Sequence, residues 1–397
     1  MKALRFELSI PRYGLALAAS KLGRGAGTAA RVGPLSLVDD EAPPPLPGPE
    51  WVRVRPLLAG ICGSDLATVE GTSSRYFEPI VSFPFTPGHE VVGTLESGQR
   101  VVLEPVLGCV ARGIRPACRA CASGQLGRCE RITFGHVNAG LQTGFCCDTG
   151  GGWSTAMVAH PSQLHVVADE LTDEDAVMIE PAACAIHGAL AGGSFDGAAV
   201  AVIGAGTLGL LVVAALTRWN RPASLIVAAK HPHQRAMATQ LGATVGCDPS
   251  ALRRTVRSVT GSLAIGDGEV SRLTGGADAV IDCVGSAESL ADAMAVVRPG
   301  GTIVLVGMPG VVKFDLTPLW HREIRLLGAY AYGIESALAG RRTFALAMEL
   351  VAALRLGSMV SALYPLDRYQ DALAHAGAAG RRGAVKIAFD LRQERIR

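Results

Sequence analysis

Aromatic residues are scarce, at 5% of 397 positions, and no charge sign dominates: 37 Lys and Arg face 35 Asp and Glu, a net of +2. With 18% charged residues, there is no broad basic surface to neutralise nucleic acid or anionic lipid, so neither is expected as a partner. Any anion must be held by small, local groups. No internal repeat is evident, and 48 Gly with 22 Pro stay below the roughly one quarter that marks low-complexity chains. The length excludes a small disulfide-stapled scaffold and, at ~150 residues per domain, predicts two or three domains.

Membrane segments are also lacking. Residues 198–217 carry no charge and match the ~20 residues that cross a bilayer, but Gly204, Gly206 and Gly209 interrupt them. Strand, glycine turn and helix is the better division. Near the start, Lys2 and Arg5 precede the apolar residues 15–19, but Glu7 and Pro11 break the approach, so no secretory signal is expected. The cytoplasm is the expected compartment.

Cysteine is plentiful, with ten residues. Cys109, Cys118, Cys121 and Cys129 share one loop, and Cys62 stands alone in a glycine-flanked turn. In a reducing compartment a four-cysteine cluster reads as a zinc site rather than as two disulfides.

Residues 1–185 show short apolar runs broken by Gly and Pro, with strand alternation around Val52 and Val54, and are expected to be mostly β. From Ala199 onward strands alternate with helical segments. Strands are predicted at 199–203, 225–229, 279–282 and 302–306, and helices at 234–241 and 287–297. This pattern predicts an α/β, doubly wound parallel sheet. A last stretch carries a helical pattern at 344–354 and a strand at 384–389.

Gly204-Ala-Gly-Thr-Leu-Gly209 is a G-x-G-x-x-G turn between a strand and a helix, the context in which backbone N–H groups cradle a dinucleotide pyrophosphate. Gly204, Gly206, Thr207, Leu208 and Gly209 are the candidate contacts. The next strand ends Ala229-Lys-His-Pro-His-Gln-Arg235 without the acid that bonds a ribose 2′-hydroxyl. Lys230 and Arg235, with His231 and His233 nearby, favour the 2′-phosphate of NADP over NAD.

Gly60-Ile-Cys-Gly-Ser-Asp65 and Pro87-Gly-His-Glu-Val-Val-Gly93 offer a thiolate, an imidazole and carboxylates, the donor types of an open catalytic zinc site. With the glycine turn, with Gly276-Ala-Asp-Ala-Val-Ile-Asp282 and with Arg298-Pro-Gly-Gly-Thr-Ile-Val-Leu-Val-Gly307, the sequence resembles the zinc-dependent medium-chain dehydrogenase/reductase family over nearly its whole length. The resemblance implies a Rossmann sheet at 186–328 and a discontinuous, β-rich GroES-like catalytic domain at 1–185 and 329–397. It implies zinc held by Cys62 and His89 with Glu90 or Glu180 as the third ligand, Glu180 matching the Glu-Pro element of the polyol branch. Cys184 and His187 are read as packing residues.

The family's structural-zinc pattern is met by Cys118, Cys121 and Cys129. Arg115 stands where the first cysteine belongs, and Cys109 is taken as that ligand, with residues 111–117 as an insertion. Ser64 matches the hydroxyl that relays the substrate proton, whereas the usual relay histidine is replaced by Ala67; Asp65 is read as ordering the turn. The implied reaction is hydride transfer between a polyol, sugar-like or other secondary alcohol and NAD(P). Alternatives are reduction of a C=C or C=N bond, motivated by Ala67, and nucleotide binding without turnover. A homodimer or homotetramer is implied, with 308–315 expected to extend the sheet across a twofold axis. Tyr76, Phe77, Phe83 and Trp153 are the aromatic candidates for lining a substrate pocket.

Overall fold

A computed structural model describes residues 1–266 and 272–394. The chain forms two compact units, residues 1–180 with 347–397, and residues 181–346.

In the first unit, β1 (Ala3–Phe6) pairs antiparallel with β2 (Leu35–Val38). Two helices stand between them, α1 (Ile10–Lys21) and α2 (Gly25–Val32), where a mostly β region was predicted. Pro11 sits in the first turn of α1, where its missing N–H costs nothing. Small residues (Ala16, Ala19, Ala26, Ala29 and Ala30) form the buried faces of both helices. Alanine gives helix propensity without a conspicuous apolar stripe, so periodicity misses these helices.

There follow β3 (Val52–Gly60), α3 (Gly63–Val69), β4 (Val91–Leu95), β5 (Arg100–Leu103), β6 (Met157–Ala159) and β7 (Leu164–Val166). Helix α4 (Ile179–Leu190) carries the chain into the second unit.

The second unit is built on β8 (Ala199–Ile203), α5 (Thr207–Trp219), β9 (Ser224–Ala228), α6 (Pro232–Gln240), β10 (Val245–Cys247), β11 (Ala277–Asp282), α7 (Ala287–Val296), β12 (Val297–Leu305) and β13 (Arg325–Gly328). The strands of its main sheet are all parallel, in the order β10-β9-β8-β11-β12-β13, the doubly wound arrangement. The uncharged run at 198–217 is β8, a glycine turn and most of α5, and no described helix is long and apolar enough to cross a membrane. Residues 308–315, expected to extend the sheet, form no strand, and β13 is the sheet edge instead. Gly307, Pro309 and Gly310 explain this, since they interrupt the apolar run that ends at Val306.

Helix α8 (Thr343–Leu354) returns the chain to the first unit, where β14 (Val360–Tyr364), α9 (Tyr369–Gly377) and β15 (Lys386–Asp390) complete its sheet. That sheet runs β14-β15-β3-β4-β5-β7, with β6 also on β3. Its closure on β3 brings residues more than 300 positions apart into register, Ala388 opposite Gly60.

Candidate active site and metal centres

Strand β3 ends at Gly60, and Cys62 caps the helix that follows. Asp65, buried at the third helical position, accepts from the Cys62 N–H at 2.9 Å through Oδ2 and turns Oδ1 toward His89 Nδ1 at 3.5 Å. That separation is an electrostatic contact rather than a full hydrogen bond. Gly88, at φ +98°, lets the chain turn into His89 against Trp153, where a Cβ would lie 2.4 Å from Cδ1 of the indole. Donor atoms of Cys62, His89 and Glu90 lie within 4.8 Å of one another. Burial, the largest influence, opposes protonation of His89, yet the Asp65 carboxylate and the Cys62 sulfur together raise its proton affinity well above that of an ordinary imidazole.

Beside this cluster the buried ammonium of Lys386 is bonded to Glu90 Oε2 and to the carbonyl of Ile61. Gly60 makes room for the pair, since a Cβ there would lie 2.0 Å from Glu90 Oε2. Burial disfavours the Lys386 charge, but Glu90, Cys62 and Glu180 outweigh it and raise its pKa. Sequence reasoning missed Lys386. The available signal was one cation in the otherwise apolar run Ala384-Val-Lys-Ile-Ala-Phe389, on a strand whose neighbours are buried.

Glu180, the second residue of α4, is buried. Ser64, half-buried, is the second residue of α3. His187 is more than a packing residue. Within the second unit its Nδ1 lies 2.8 Å from Glu335 Oε1, and the same oxygen accepts from Thr343 Oγ1 at 2.5 Å. Trp153 is not a pocket residue: it is fully buried, donates to the Gly60 carbonyl at 3.3 Å and packs edge-on against Phe389. Phe83 packs on Phe6 and Phe85, and Tyr76 is exposed.

The second cluster gathers the sulfurs of Cys109, Cys118, Cys121 and Cys129 within 4.8 Å. Main-chain N–H groups point at these sulfurs, from Cys118 to Cys109 at 3.3 Å and from Arg131 to Cys129 at 3.4 Å. Such donors favour thiolates. Although burial is the strongest influence on Cys118, N–H groups of Cys121 and Glu130 pull its thiol down to about 7, whereas burial pushes Cys121 up.

The loop after Cys109 carries Arg112, which is fully buried. Its guanidinium donates to five carbonyls, those of Leu107, Phe134, Val137, Asn138 and Gly140. Arg112 thus ties this loop to residues 134–140.

In the second unit β8 runs into Gly204 at φ +89°, and Gly206 caps α5, whose first two residues are Thr207 and Leu208. A Cβ on Gly209 would lie 1.9 Å from the Gly204 carbonyl oxygen, so the turn closes only with glycine there. Asp282 at the end of β11 is buried and accepts from the N–H groups of Val284 and Gly285 and from the Ser289 hydroxyl. At the end of β9, Lys230 is exposed. Arg235 turns back to donate to the carbonyls of Ala229 at 2.7 Å and Lys230 at 3.2 Å, and stands 4.0 Å from Asp248.

The alcohol dehydrogenase GroES-like domain family matches residues 48–169, and the zinc-binding dehydrogenase family matches residues 207–353. The chain is 27% identical to a sorbitol dehydrogenase of Arabidopsis thaliana over 365 residues, covering 87% of this chain and 90% of that protein. It is 31% identical over 304 residues to a probable zinc-binding alcohol dehydrogenase of Mycobacterium tuberculosis, covering 71% and 68% of the two. A zinc-binding dehydrogenase structure from Sinorhizobium meliloti, solved with NADP, aligns with a TM-score of 0.67 and 26% identity over 90% of this chain and 95% of that one. Two parallel observations, the thiolate and imidazole cluster and the doubly wound sheet with its glycine turn, agree with these matches: the chain belongs to the zinc-dependent medium-chain dehydrogenase/reductase family and is an oxidoreductase of CH–OH groups.

Proposed function

We propose that the protein interconverts a polyol or sugar-like secondary alcohol and its carbonyl form, using NADP in preference to NAD. The observation that carries this reading is the convergence of Cys62, His89 and Glu90 donor atoms within 4.8 Å, with Glu180 as a further buried carboxylate. A soft thiolate, an imidazole and a carboxylate are a zinc donor set, and the unbonded buried Asp65 Oδ1 and His89 Nδ1 fit a ring held in place by its far nitrogen. The sorbitol dehydrogenase likeness supports the polyol class.

When bound, zinc supplies Lewis-acid polarisation of the substrate oxygen and the nicotinamide ring accepts the hydride. Cys62 and His89 hold the metal, and Asp65 orients His89 through Nδ1, leaving Nε2 for coordination. Glu90 and Glu180 supply the third donor between them. The Ser64 hydroxyl takes up the substrate proton, and with Ala67 in the relay position that proton leaves by way of water or the cofactor ribose. Backbone N–H groups of 204–209 receive the pyrophosphate at the start of α5. Lys230 pairs with the 2′-phosphate, while Arg235 braces the strand end that presents it. The β-rich unit serves as the catalytic domain and the parallel-sheet unit as the cofactor domain. The four-cysteine cluster holds a structural zinc.

Assembly is through a second copy of the chain, at least as a dimer. Val311, Leu316, Trp320, Leu326 and Tyr330, all exposed, lie before, on and just after the edge strand β13. The cytoplasm suits ten cysteines of which none forms a disulfide. Zinc-loaded protein, offered NADP or NAD with a panel of polyols, sugars and simple alcohols, should raise reduced-nicotinamide absorbance. No turnover across the panel together with no bound zinc would sink the reading. Turnover of unsaturated substrates alone, persisting in Ser64→Ala, would move it to C=C or C=N reduction.

A further inference from the structure

The hairpin of α1 and α2 is additional to the sheet it interrupts. Strands β1 and β2 keep an unbroken register, from Ala3 opposite Val38 to Phe6 opposite Leu35, and the hairpin precedes the GroES-like match at 48–169. It is nonetheless firmly seated. Helix α2 packs against α9, and Gly27 comes so close that a Cβ there would lie 2.6 Å from Ala374 Cβ.

Helix α1 covers α2 with one face, burying Ala16 and Ala19, and its other face is apolar as well. Pro11, Leu15, Ala18 and Leu22 follow one another at i, i+4, i+7 and i+11, which places them in one outward stripe. Leu15 is 56% exposed and Leu22 73%; Ile10, in the first turn, and Leu8, just before it, are 82% and 71% exposed. With Leu8 and Ile10 beside its start, this face is an exposed apolar strip on a helix whose other face is already packed.

The charge around it selects that partner. Arg12 and Lys21 flank the stripe on opposite sides and Arg24 follows its end, all exposed. Between Glu7 and Asp39 there is no acid at all. Glu78, which lies near Tyr13, is bonded to Arg75. A second copy of this surface would set like charges together. An apolar ridge between cations suits a surface with negative headgroups above an acyl layer.

We propose that the outward face of α1 docks the protein on an anionic bilayer, with Leu15 and Leu22 entering the acyl boundary and Arg12, Lys21 and Arg24 meeting headgroup phosphates. The near-zero net charge excludes a broad basic surface but does not bear on a local one. This is independent of the reaction catalysed.

Zinc-loaded full-length protein is sedimented with vesicles of phosphatidylglycerol and phosphatidylcholine, and with phosphatidylcholine alone. Binding to the anionic vesicles should be at least about tenfold stronger and weaken with salt. Leu15→Asp/Leu22→Asp and Arg12→Glu/Lys21→Glu should each remove it about tenfold or more while leaving the melting curve and dehydrogenase activity in solution unchanged. Equal binding to both vesicle types, no binding to either, or binding that survives both variants overturns the proposal. So does light scattering in which these variants reduce the oligomer, since the stripe would then be a contact between copies.

Discussion

Lys386 and Glu90 form an ion pair sealed from solvent, each side chain 2% exposed, across 296 positions of sequence. Its members share the environment of Cys62 and His89, so the pair bears on both folding and metal binding. In metal-free protein Lys386→Met leaves the Glu90 carboxylate buried without its cation, and should lower unfolding free energy by about 3–5 kcal/mol in denaturant titrations. Lys386→Met/Glu90→Gln, which removes both charges, should recover most of that loss. The raised lysine pKa means that the stabilisation is fully present below the ordinary value of 10.5 and is lost as pH rises through the folded value. The gap between wild type and Lys386→Met should therefore hold steady from neutrality to that value and narrow above it.

Asp65 faces the nitrogen of His89 that a metal would leave free. Asp65→Asn keeps the size but removes the charge that orients the imidazole. Zinc affinity, measured by chelator competition, should fall about 10- to 100-fold. An unchanged affinity would show that the contact is incidental.

Two separate groups of donors predict two zinc ions per chain. Elemental analysis of Cys121→Ser should find one, because three thiolates and a hydroxyl bind zinc poorly. Retained turnover at low temperature with reduced thermal stability would mark the lost ion as structural.

Arg112 donates to five carbonyls, and its bonds to those of Leu107, Val137 and Gly140 are buried. Arg112→Met should cost at least about 3 kcal/mol, from unsatisfied buried acceptors. Arg112→Lys should recover little, since an ammonium cannot reproduce the planar fork.

At the cofactor end, Lys230→Glu should raise the KM for NADP at least about tenfold and change that for NAD far less. If the KM values change equally, the 2′-phosphate is bound elsewhere.

Short-range patterns were the legible part. The run from Ala199 to Thr217 contains its own strand, turn and helix, because glycine spacing and apolar continuity act over a few residues. The alternation of strand and helix after it specifies a parallel sheet, since parallel neighbours need crossovers. Cys62 and Asp65 share one turn, and His89 and Glu90 are adjacent, so most of the candidate ligand set reads from two short motifs. The helices α1 and α2 were less legible, being built on alanine packing rather than a strong apolar stripe.

The sequence alone therefore determined the family, the donor types and the glycine turn between β8 and α5, all written in short motifs. Tertiary structure decided the rest. It brought Lys386 under Glu90, aimed Asp65 at His89, drew Cys109 to Cys118, Cys121 and Cys129, and set Arg112 among five carbonyls. Each of those relationships depends on which backbone segments pack together, and buried charge is stable only where that packing delivers a partner.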